Sequence, residues 1–227
     1  SFFSADLQDV RLVRAYQRQG KLDDALAMAE DTVKLAPDRA DLQILLGEVN
    51  YQARRIDAAI AAFTRATELQ PDDMLGYGAL VEVQESTNDL VAAIDVYQKL
   101  IERNPDSAAF HYHLALNLMR IKDYPAAVEA FNKVLALEPR VIRAHYMLGL
   151  LYQEMESYEA SLAEFRQYLE QRAGDVSTQE YMAGVLTRLG RYEEAAELFQ
   201  QLLTGKDAEP KHYLQAAWLM LIAGKPS

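Results

Sequence analysis

The phrase Leu35-Ala36-Pro37-Asp38 is followed by three similar phrases in this chain, each with its proline 34 residues further on. Proline cannot continue a helix, because it lacks the amide donor and clashes with the preceding turn. An aspartate that follows it can cap the next helix by accepting hydrogen bonds from free amides. Each phrase therefore predicts the end of one helix, a turn and the start of another. The other copies are Leu69-Gln70-Pro71-Asp72, Arg103-Asn104-Pro105-Asp106 and Leu137-Glu138-Pro139-Arg140.

The four prolines set the register of a longer internal repeat. Each repeat holds two stretches with apolar residues at helical spacing, which we name helix A and helix B, with a short break between them. Gly20 and Gly190 stand at two of these breaks and suit the left-handed residue that ends a helix. The predicted repeats are 6–39, 40–73, 74–107, 108–141, 142–175 and 176–209, followed by a half repeat at 210–227.

Small and aromatic residues recur at fixed places in this register. Two helix backbones approach closely only where a side chain is short, and an aromatic ring can fill the adjoining gap. The eighth place of four repeats holds Gly47, Ala115, Gly149 and Ala183. The twentieth place holds Ala25, Ala59, Ala93, Ala127, Ser161 and Ala195, and the twenty-fourth place holds Phe63, Tyr97, Phe131, Phe165 and Phe199.

These places resemble the tetratricopeptide-repeat family over essentially the whole chain. The resemblance implies an all-α fold, a right-handed superhelical solenoid of antiparallel helix pairs. It further implies one array over residues 1–227, with six repeats and a seventh helix A. The fifth repeat departs from the pattern, since Ala173 replaces proline and Gly174-Asp175 supplies the turn.

Composition excludes several classes of function. Half of the 227 residues are apolar and a quarter are charged, which is typical of a folded chain. The net charge of −11 argues against nucleic acid as a partner, because phosphate binding needs a basic surface. No apolar run approaches the roughly 18 residues of a membrane span, so direct membrane insertion is not expected. The lack of cysteine removes disulfides and thiolate chemistry, and leaves cytoplasm and periplasm equally compatible.

The sequence contains no recognisable catalytic or cofactor motif. His111 and His113 are two residues apart on a predicted helix, so they point to different faces and cannot easily share a metal. There is no His-Glu-x-x-His motif, phosphate loop or Gly-x-Ser-x-Gly elbow. We therefore predict a chain that is not an enzyme and takes no cofactor or metal.

The resemblance also implies a binding surface on helix A. Places 2, 5, 9, 12 and 13 of each helix A face a concave groove that holds a peptide or a helix of a partner protein. In the fourth to sixth repeats these places and their neighbours combine apolar, aromatic and methionine side chains with arginines, which are favoured at interfaces. An alternative is that the apolar members fill the core between helices. The predicted groove residues are Tyr112, Leu116, Met119, Arg120, Arg143, Tyr146, Met147, Leu150, Gln153, Tyr181 and Arg188.

The first three repeats carry charged stripes instead. Arg11, Arg14 and Arg18 are spaced three and four apart, so they share one helix face. A basic stripe followed by an acidic one could set the direction of a bound partner, although such stripes are more often ordinary solvated faces. The acidic stripe comprises Glu48, Glu82 and Glu85.

The last predicted helix, residues 210–223, has eight apolar residues in a row from Ala216 to Ala223. A helix that caps a solenoid should have a polar outer face. The sequence thus predicts that the array continues in a longer protein, and that Trp218 and Leu221 form an exposed assembly patch. The alternative is a true terminus whose apolar face folds back on the sixth repeat.

Three functions are compatible with these patterns. The leading hypothesis is a non-catalytic scaffold, within a larger bacterial protein, that binds a peptide or helix of a protein partner. The second is self-association through the half repeat. The third is the recruiting arm of an enzyme that lies elsewhere in the same protein. The identity of the partner does not follow from the sequence.

Overall fold

The computed structural model describes the backbone of residues 2–203 and 209–224, and side chains from residue 8 onward. Thirteen helices and no strand occur within these ranges, which confirms the predicted all-α architecture. Residues 204–208 and 225–227, which include the ends of the predicted sixth repeat and half repeat, lie outside the described residues. The helices are α1 Phe2–Arg18, α2 Leu22–Leu35, α3 Ala40–Gln52, α4 Ile56–Leu69, α5 Met74–Ser86, α6 Leu90–Arg103, α7 Ala108–Arg120, α8 Tyr124–Leu137, α9 Ile142–Glu154, α10 Tyr158–Gln171, α11 Val176–Arg188, α12 Tyr192–Leu203 and α13 Pro210–Ala223.

The helices form two compact units, residues 1–106 with α1 to α6 and residues 107–227 with α7 to α13. Within each unit every helix packs on the next one in the chain. Side chains about one repeat apart also meet. The Tyr51 hydroxyl lies 2.9 Å from the Ser86 hydroxyl, and the Gln17 amide donates to Gln52 at 3.1 Å. In this first unit α1, α3 and α5, the helices A of three successive repeats, therefore lie side by side, as expected for stacked repeats that contact their neighbours.

Six residues in the left-handed region mark the turns between helix A and helix B, and they are spaced 34 residues apart. Glycine adopts this region at no steric cost, whereas other L-residues pay roughly 1–2 kcal/mol there. The conformation is thus imposed by the packing of the repeat rather than by the residue in the turn. The φ angles are 72° at Gly20, 61° at Arg54, 61° at Asn88, 64° at Lys122, 56° at Glu156 and 74° at Gly190.

The small residues of helix B and the aromatic residues that follow them lie in the core. All six residues at the twentieth place, from Ala25 to Ala195, have an exposed fraction of 0%. The aromatic rings four residues later are buried as well, and Phe131 and Phe165 are fully enclosed. The predicted reason for the pattern, a close helix approach beside a ring that fills the gap, is confirmed.

Gly149 shows how close the approach is. A Cβ atom added to it would lie 2.5 Å from two carbons of the Phe165 ring. The Ser161 hydroxyl donates to the Gly149 carbonyl oxygen at 2.7 Å. The backbone of α9 is therefore in direct contact with both Ser161 and the Phe165 ring of α10. Gly47 faces the Phe63 ring in the same way in the other unit. Both glycines are therefore required by packing.

Candidate partner-binding grooves

The unit of residues 107–227 has an open groove along α9, α11 and α13. It consists of three adjoining clefts of about 520, 430 and 350 Å³, and all three have Gly184 in their lining. The floor of the largest cleft is formed by Phe199 and Leu219. We name this surface the C-terminal groove and define it by Gln153, Glu180, Gly184, Arg188, Lys211 and Trp218.

Gly184 has no packing role of the kind that explains Gly149. A Cβ atom built on it would meet no atom within 4 Å. Glycine inside a helix destabilises it by roughly 1 kcal/mol relative to alanine, because the unfolded chain has more freedom to lose. Gly184 therefore carries this cost without a compensating contact, at the place where the three clefts meet.

Two side chains give the C-terminal groove its chemical character. Trp218 lines the largest cleft, and its side chain is 54% exposed. Arg188 is exposed and lines two of the clefts, and it makes no ion pair with any residue that the structure describes. An exposed indole and an unpaired guanidinium can receive an apolar group and a carboxylate, respectively.

A polar clamp holds α13 against α11. Lys211 Nζ lies 2.8 Å from a Glu180 carboxylate oxygen, and His212 Nε2 lies 2.7 Å from the same oxygen. His212 is fully buried, and its Nδ1 accepts the backbone N–H of Glu209 at 3.0 Å. That acceptor role assigns the ring proton to Nε2, which therefore donates to Glu180. The hydrogen bond from Lys211, and next the one from His212, hold the pKa of Glu180 below its usual value.

This clamp predicts a dependence of stability on pH. Folding lowers the pKa of Glu180 below its ordinary value of 4.5. The ionised carboxylate therefore stabilises the folded state above about pH 4.5, and this stabilisation is lost as the pH falls through the pKa that Glu180 has in the folded state. We expect Glu180→Gln to lower the free energy of unfolding at pH 7 and to lower it much less at pH 3. Urea titrations of both proteins at the two pH values measure the effect. If Glu180→Gln lowers the free energy of unfolding equally at pH 7 and pH 3, the Glu180 charge does not act through the clamp.

The residues predicted from sequence are all at least partly accessible. Arg120, Arg143, Tyr181 and Arg188 are exposed, and the other seven are partly buried. Gln153, Tyr181 and Arg188 line the clefts of the C-terminal groove. The lining does not include the remaining eight, which are Tyr112, Leu116, Met119, Arg120, Arg143, Tyr146, Met147 and Leu150.

The two predicted groove tyrosines, Tyr112 of α7 and Tyr146 of α9, both pack on buried rings. Tyr112 meets Phe131 edge to face, with the ring centroids 5.4 Å apart. Tyr146 lies 5.3 Å from Tyr168 and 6.1 Å from Phe165 by the same measure. These two side chains thus contribute to the packing between helices while remaining partly accessible.

Gln153 has an unusual polar atom beside the C-terminal groove. Its side-chain oxygen is buried and accepts no hydrogen bond from the described residues. Buried polar atoms nearly always have a partner, so this one marks a place where polar contact is incomplete. Gln153 lines two of the three clefts, so one side of this residue faces the C-terminal groove.

The apolar face of α13 is divided between core and surface. Ala216 and Leu219 are buried in the same cluster as Phe199. On the other side, Trp218 is 54% and Leu221 is 62% exposed, and Leu214 is 74% exposed. One face of α13 therefore packs on the preceding repeat, while the predicted patch residues lie on the solvent side.

The unit of residues 1–106 has a groove of its own, a cleft of about 950 Å³ along α1, α3 and α5. All five groove places of the second repeat line it, from Asp41 to Gln52. We name it the N-terminal groove and define it by Arg14, Ile44, Glu48, Leu75, Gly78 and Glu82.

Arg14, Glu48 and Glu82 of the N-terminal groove belong to the charged stripes noted in the sequence. Its fourth charged residue, Asp41, and its apolar wall of Ile44, Met74 and Leu75 were not predicted. Applying the five groove places to the first three repeats would have found Ile44 and Leu75. The structure also links the two predicted stripes, since the Arg14 guanidinium forms an ion pair with Glu48. The basic stripe is therefore partly neutralised by the acidic one.

Within the described part of the chain, no group of three or more His, Asp or Glu side chains is placed to hold a metal ion. Among the described helices, none combines the length and the apolar character that crossing a membrane requires.

Comparison with protein families gives three matches along the chain. The model for the TPR domain of cytochrome c-type biogenesis protein H matches residues 33–141. Two tetratricopeptide-repeat models match residues 146–210 and 11–36. No curated protein matches the sequence.

Solved structures with similar folds include several repeat proteins. The Naa15/Naa10 complex bound to HypK-THB aligns at a TM-score of 0.75 and 17% identity over 90% of this chain, which spans only 32% of that chain. A tetratricopeptide-repeat protein from Parabacteroides merdae aligns at 0.63 and 17% identity, over 97% of this chain and 87% of its own. YrrB, described as a TPR protein with an unusual peptide-binding site, aligns at 0.63 and 16% identity, over 84% and 96%. The register, the turns, the core and these matches agree, and the chain is a tetratricopeptide-repeat protein.

Proposed function

We propose that this protein is a non-catalytic scaffold whose C-terminal groove binds a segment of a partner protein. The observation that carries the proposal is Gly184, a helical glycine with open space over it at the meeting point of three clefts. An alanine would stabilise the helix, so packing and helix propensity do not explain the glycine. Room for the close approach of another chain does explain it.

The lining indicates which partner side chains the groove would receive. Trp218 offers a large apolar surface over the floor formed by Phe199 and Leu219. Arg188, which has no ion pair of its own among the described residues, suits a carboxylate. Gln153 borders the other end of the groove with a polar side chain. The expected partner segment therefore carries an apolar side chain next to an acidic one.

The groove is held in shape before binding. The clamp of Glu180, Lys211 and His212 fixes α13 relative to α11, and Tyr181 stacks on the buried ring of Phe165 at 6.0 Å. A partner that binds a fixed surface loses less conformational freedom than one that must order it. The fold supports the same function, because tetratricopeptide repeats in general serve protein–protein interaction, and YrrB is described as having a peptide-binding site.

The test begins with selection of peptides from a displayed random library on the full chain. We expect Gly184→Ala to raise the free energy of unfolding by roughly 0.5–1 kcal/mol and to weaken binding of the selected peptides. The stability gain follows from helix propensity, and the loss of affinity follows from the methyl group on the groove floor. Urea titration and fluorescence polarisation measure the two effects on the same protein.

A matched pair of arginine variants controls this test. Arg188→Ala removes a guanidinium from the groove, whereas Arg166→Ala removes an exposed one from α10, outside the groove. We expect the first to weaken peptide binding by roughly tenfold and the second to leave it unchanged, as for an interface anchor and a bystander. Peptides that bind both variants and Gly184→Ala as tightly as the parent would contradict the proposal.

Self-association is a second candidate, favoured by the exposed apolar side of α13. Leu214 and Leu221 are 74% and 62% exposed, and neither lines the C-terminal groove. Sedimentation of the parent and of Leu221→Lys separates the two candidates. An oligomer that Leu221→Lys dissociates would support self-association, and a parent that stays monomeric over a wide concentration range would exclude it.

A further inference from the structure

We propose that the N-terminal groove is a second, independent binding site, which takes a basic segment of a partner protein anchored by apolar side chains. This inference concerns residues 1–106 alone. It does not depend on the function proposed for the C-terminal groove, because the two grooves share no residue.

The wall of the N-terminal groove offers apolar surface that the protein does not use itself. Leu75 is 69% exposed and Met74 is 38% exposed, at the start of α5. Ile44 of α3 lines the same cleft, whose volume of about 950 Å³ can receive several side chains. Exposed apolar groups that are gathered in a concave surface are a common mark of a binding site.

The charges around this wall are mostly negative. Among the described residues, Asp41, Glu48 and Glu82 line the cleft with Arg14 as the single cation, and the Arg14 guanidinium forms an ion pair with Glu48. Glu82 is exposed and has no ion pair among the residues described. The surroundings have the same sign, since residues 1–106 hold 19 Asp and Glu against 11 Lys and Arg. Lysine or arginine in a partner would complement this surface, whereas phosphate groups would be repelled.

Polar contacts keep the groove in shape across three repeats. The Gln17 amide donates to Gln52 at 3.1 Å and joins α1 to α3. The hydroxyls of Tyr51 and Ser86 lie 2.9 Å apart and join α3 to α5. These contacts link the three helices that carry the carboxylates and the apolar wall, which reduces the conformational freedom that binding would cost.

Gly78 lies in this groove as Gly184 does in the other. A Cβ atom added to Gly78 would meet nothing within 4 Å, in contrast to the packed positions of Gly47 and Gly149. Among the described glycines inside helices, Gly78 and Gly184 are those whose added Cβ would meet no atom within 4 Å, and both line a groove. Chance placement on an outer face would give no such coincidence, and room for a bound chain accounts for it.

The test uses two fluorescent peptides of about 14 residues, enough for a short helix. The first contains only Leu and Lys, with Leu spaced three and four apart. The second has Glu in place of every Lys. In a fluorescence-polarisation titration of the full chain, we expect the Leu/Lys peptide to bind at least roughly tenfold more tightly than the Leu/Glu peptide. Equal binding of the two peptides, or no binding of the Leu/Lys peptide, would overturn the inference.

Variants of equal charge separate a site from general attraction to an acidic protein. Glu82→Lys changes the groove, and Asp95→Lys makes the same change on the exposed side of α6, which does not line it. We expect roughly tenfold weaker binding for Glu82→Lys and less than about a twofold change for Asp95→Lys. An equal loss in both would mean diffuse attraction and would refute a site.

Two more variants complete the design. Leu75→Ser removes the exposed anchor, and we expect it to weaken binding of the Leu/Lys peptide without lowering the melting temperature, because Leu75 is not packed. Arg188→Ala should leave that binding unchanged. Because removing the Arg188 charge also removes its repulsion of lysine, a change of Leu/Lys binding in either direction in Arg188→Ala would place the peptide in the C-terminal groove and contradict the inference.

Discussion

Replacing Phe165 with alanine is expected to lower the free energy of unfolding by about 3–5 kcal/mol. The ring is fully enclosed, and its centroid lies 6.0 Å from that of Tyr181 and 6.1 Å from that of Tyr146. Removing it would leave a cavity between α9, α10 and α11 that these neighbours, each fixed by its own contacts, can fill only in part. Urea denaturation followed by far-UV circular dichroism measures the loss.

A more conservative change calibrates this result. Phe165→Leu keeps most of the volume, so its cost should be well below that of Phe165→Ala. The cavity should also loosen Tyr181, which lines the C-terminal groove and stacks on the ring. A cost under about 1 kcal/mol for Phe165→Ala would be that of an ordinary surface change and would show that the ring is not central to the core.

The second large effect is expected at Gly149. Gly149→Leu should lower the free energy of unfolding by about 3 kcal/mol, the upper end of the usual range for overpacking. Even its Cβ atom would lie 2.5 Å from two Phe165 ring carbons, and the ring cannot yield because it is enclosed on all sides. The same urea titration measures the change.

Gly184→Leu is the matched control, because it makes the same substitution on the next helix A, where no atom lies within 4 Å of the new Cβ. We expect it to leave stability unchanged or to raise it slightly. The double variant Gly149→Leu with Phe165→Ala should lose less than the sum of the single losses, since the leucine can enter the space of the ring. Strict additivity would show that the two positions do not share a contact.

Much of the fold could be predicted from the sequence because backbone geometry allows few residue types at helix ends and at helix crossings. A proline ends a helix wherever it falls, and a close helix crossing accepts only small side chains. The small residues at the twentieth place and the rings four residues later were expected at close helix crossings, from the family resemblance and this packing argument, and they are buried. The turns at Gly20 and Gly190 were also predicted correctly.

The grooves were less predictable because the use of a side chain depends on helices far away in sequence. Tyr146 stands at a groove place, yet it packs on Tyr168 and Phe165 of the following helix. Leu75 has an apolar side chain of the kind usually found in a core, yet it is 69% exposed. The role of Gly184 could not be predicted from sequence either. Gly149 is also a glycine in a helix A, but it is packed against the Phe165 ring, whereas Gly184 faces open space. Only the neighbours of each position distinguish them.

The left-handed turn residues offer a way to adjust stability without touching either groove. Arg54 and Lys122 are exposed, line no described cleft of the two grooves, and hold φ angles of 61° and 64°. Each stores strain that glycine would relieve, and glycine would in turn increase the freedom of the unfolded chain. Because repeats interact only with their neighbours, these changes should act locally. The stability of each repeat can therefore be changed separately, with little effect on distant repeats.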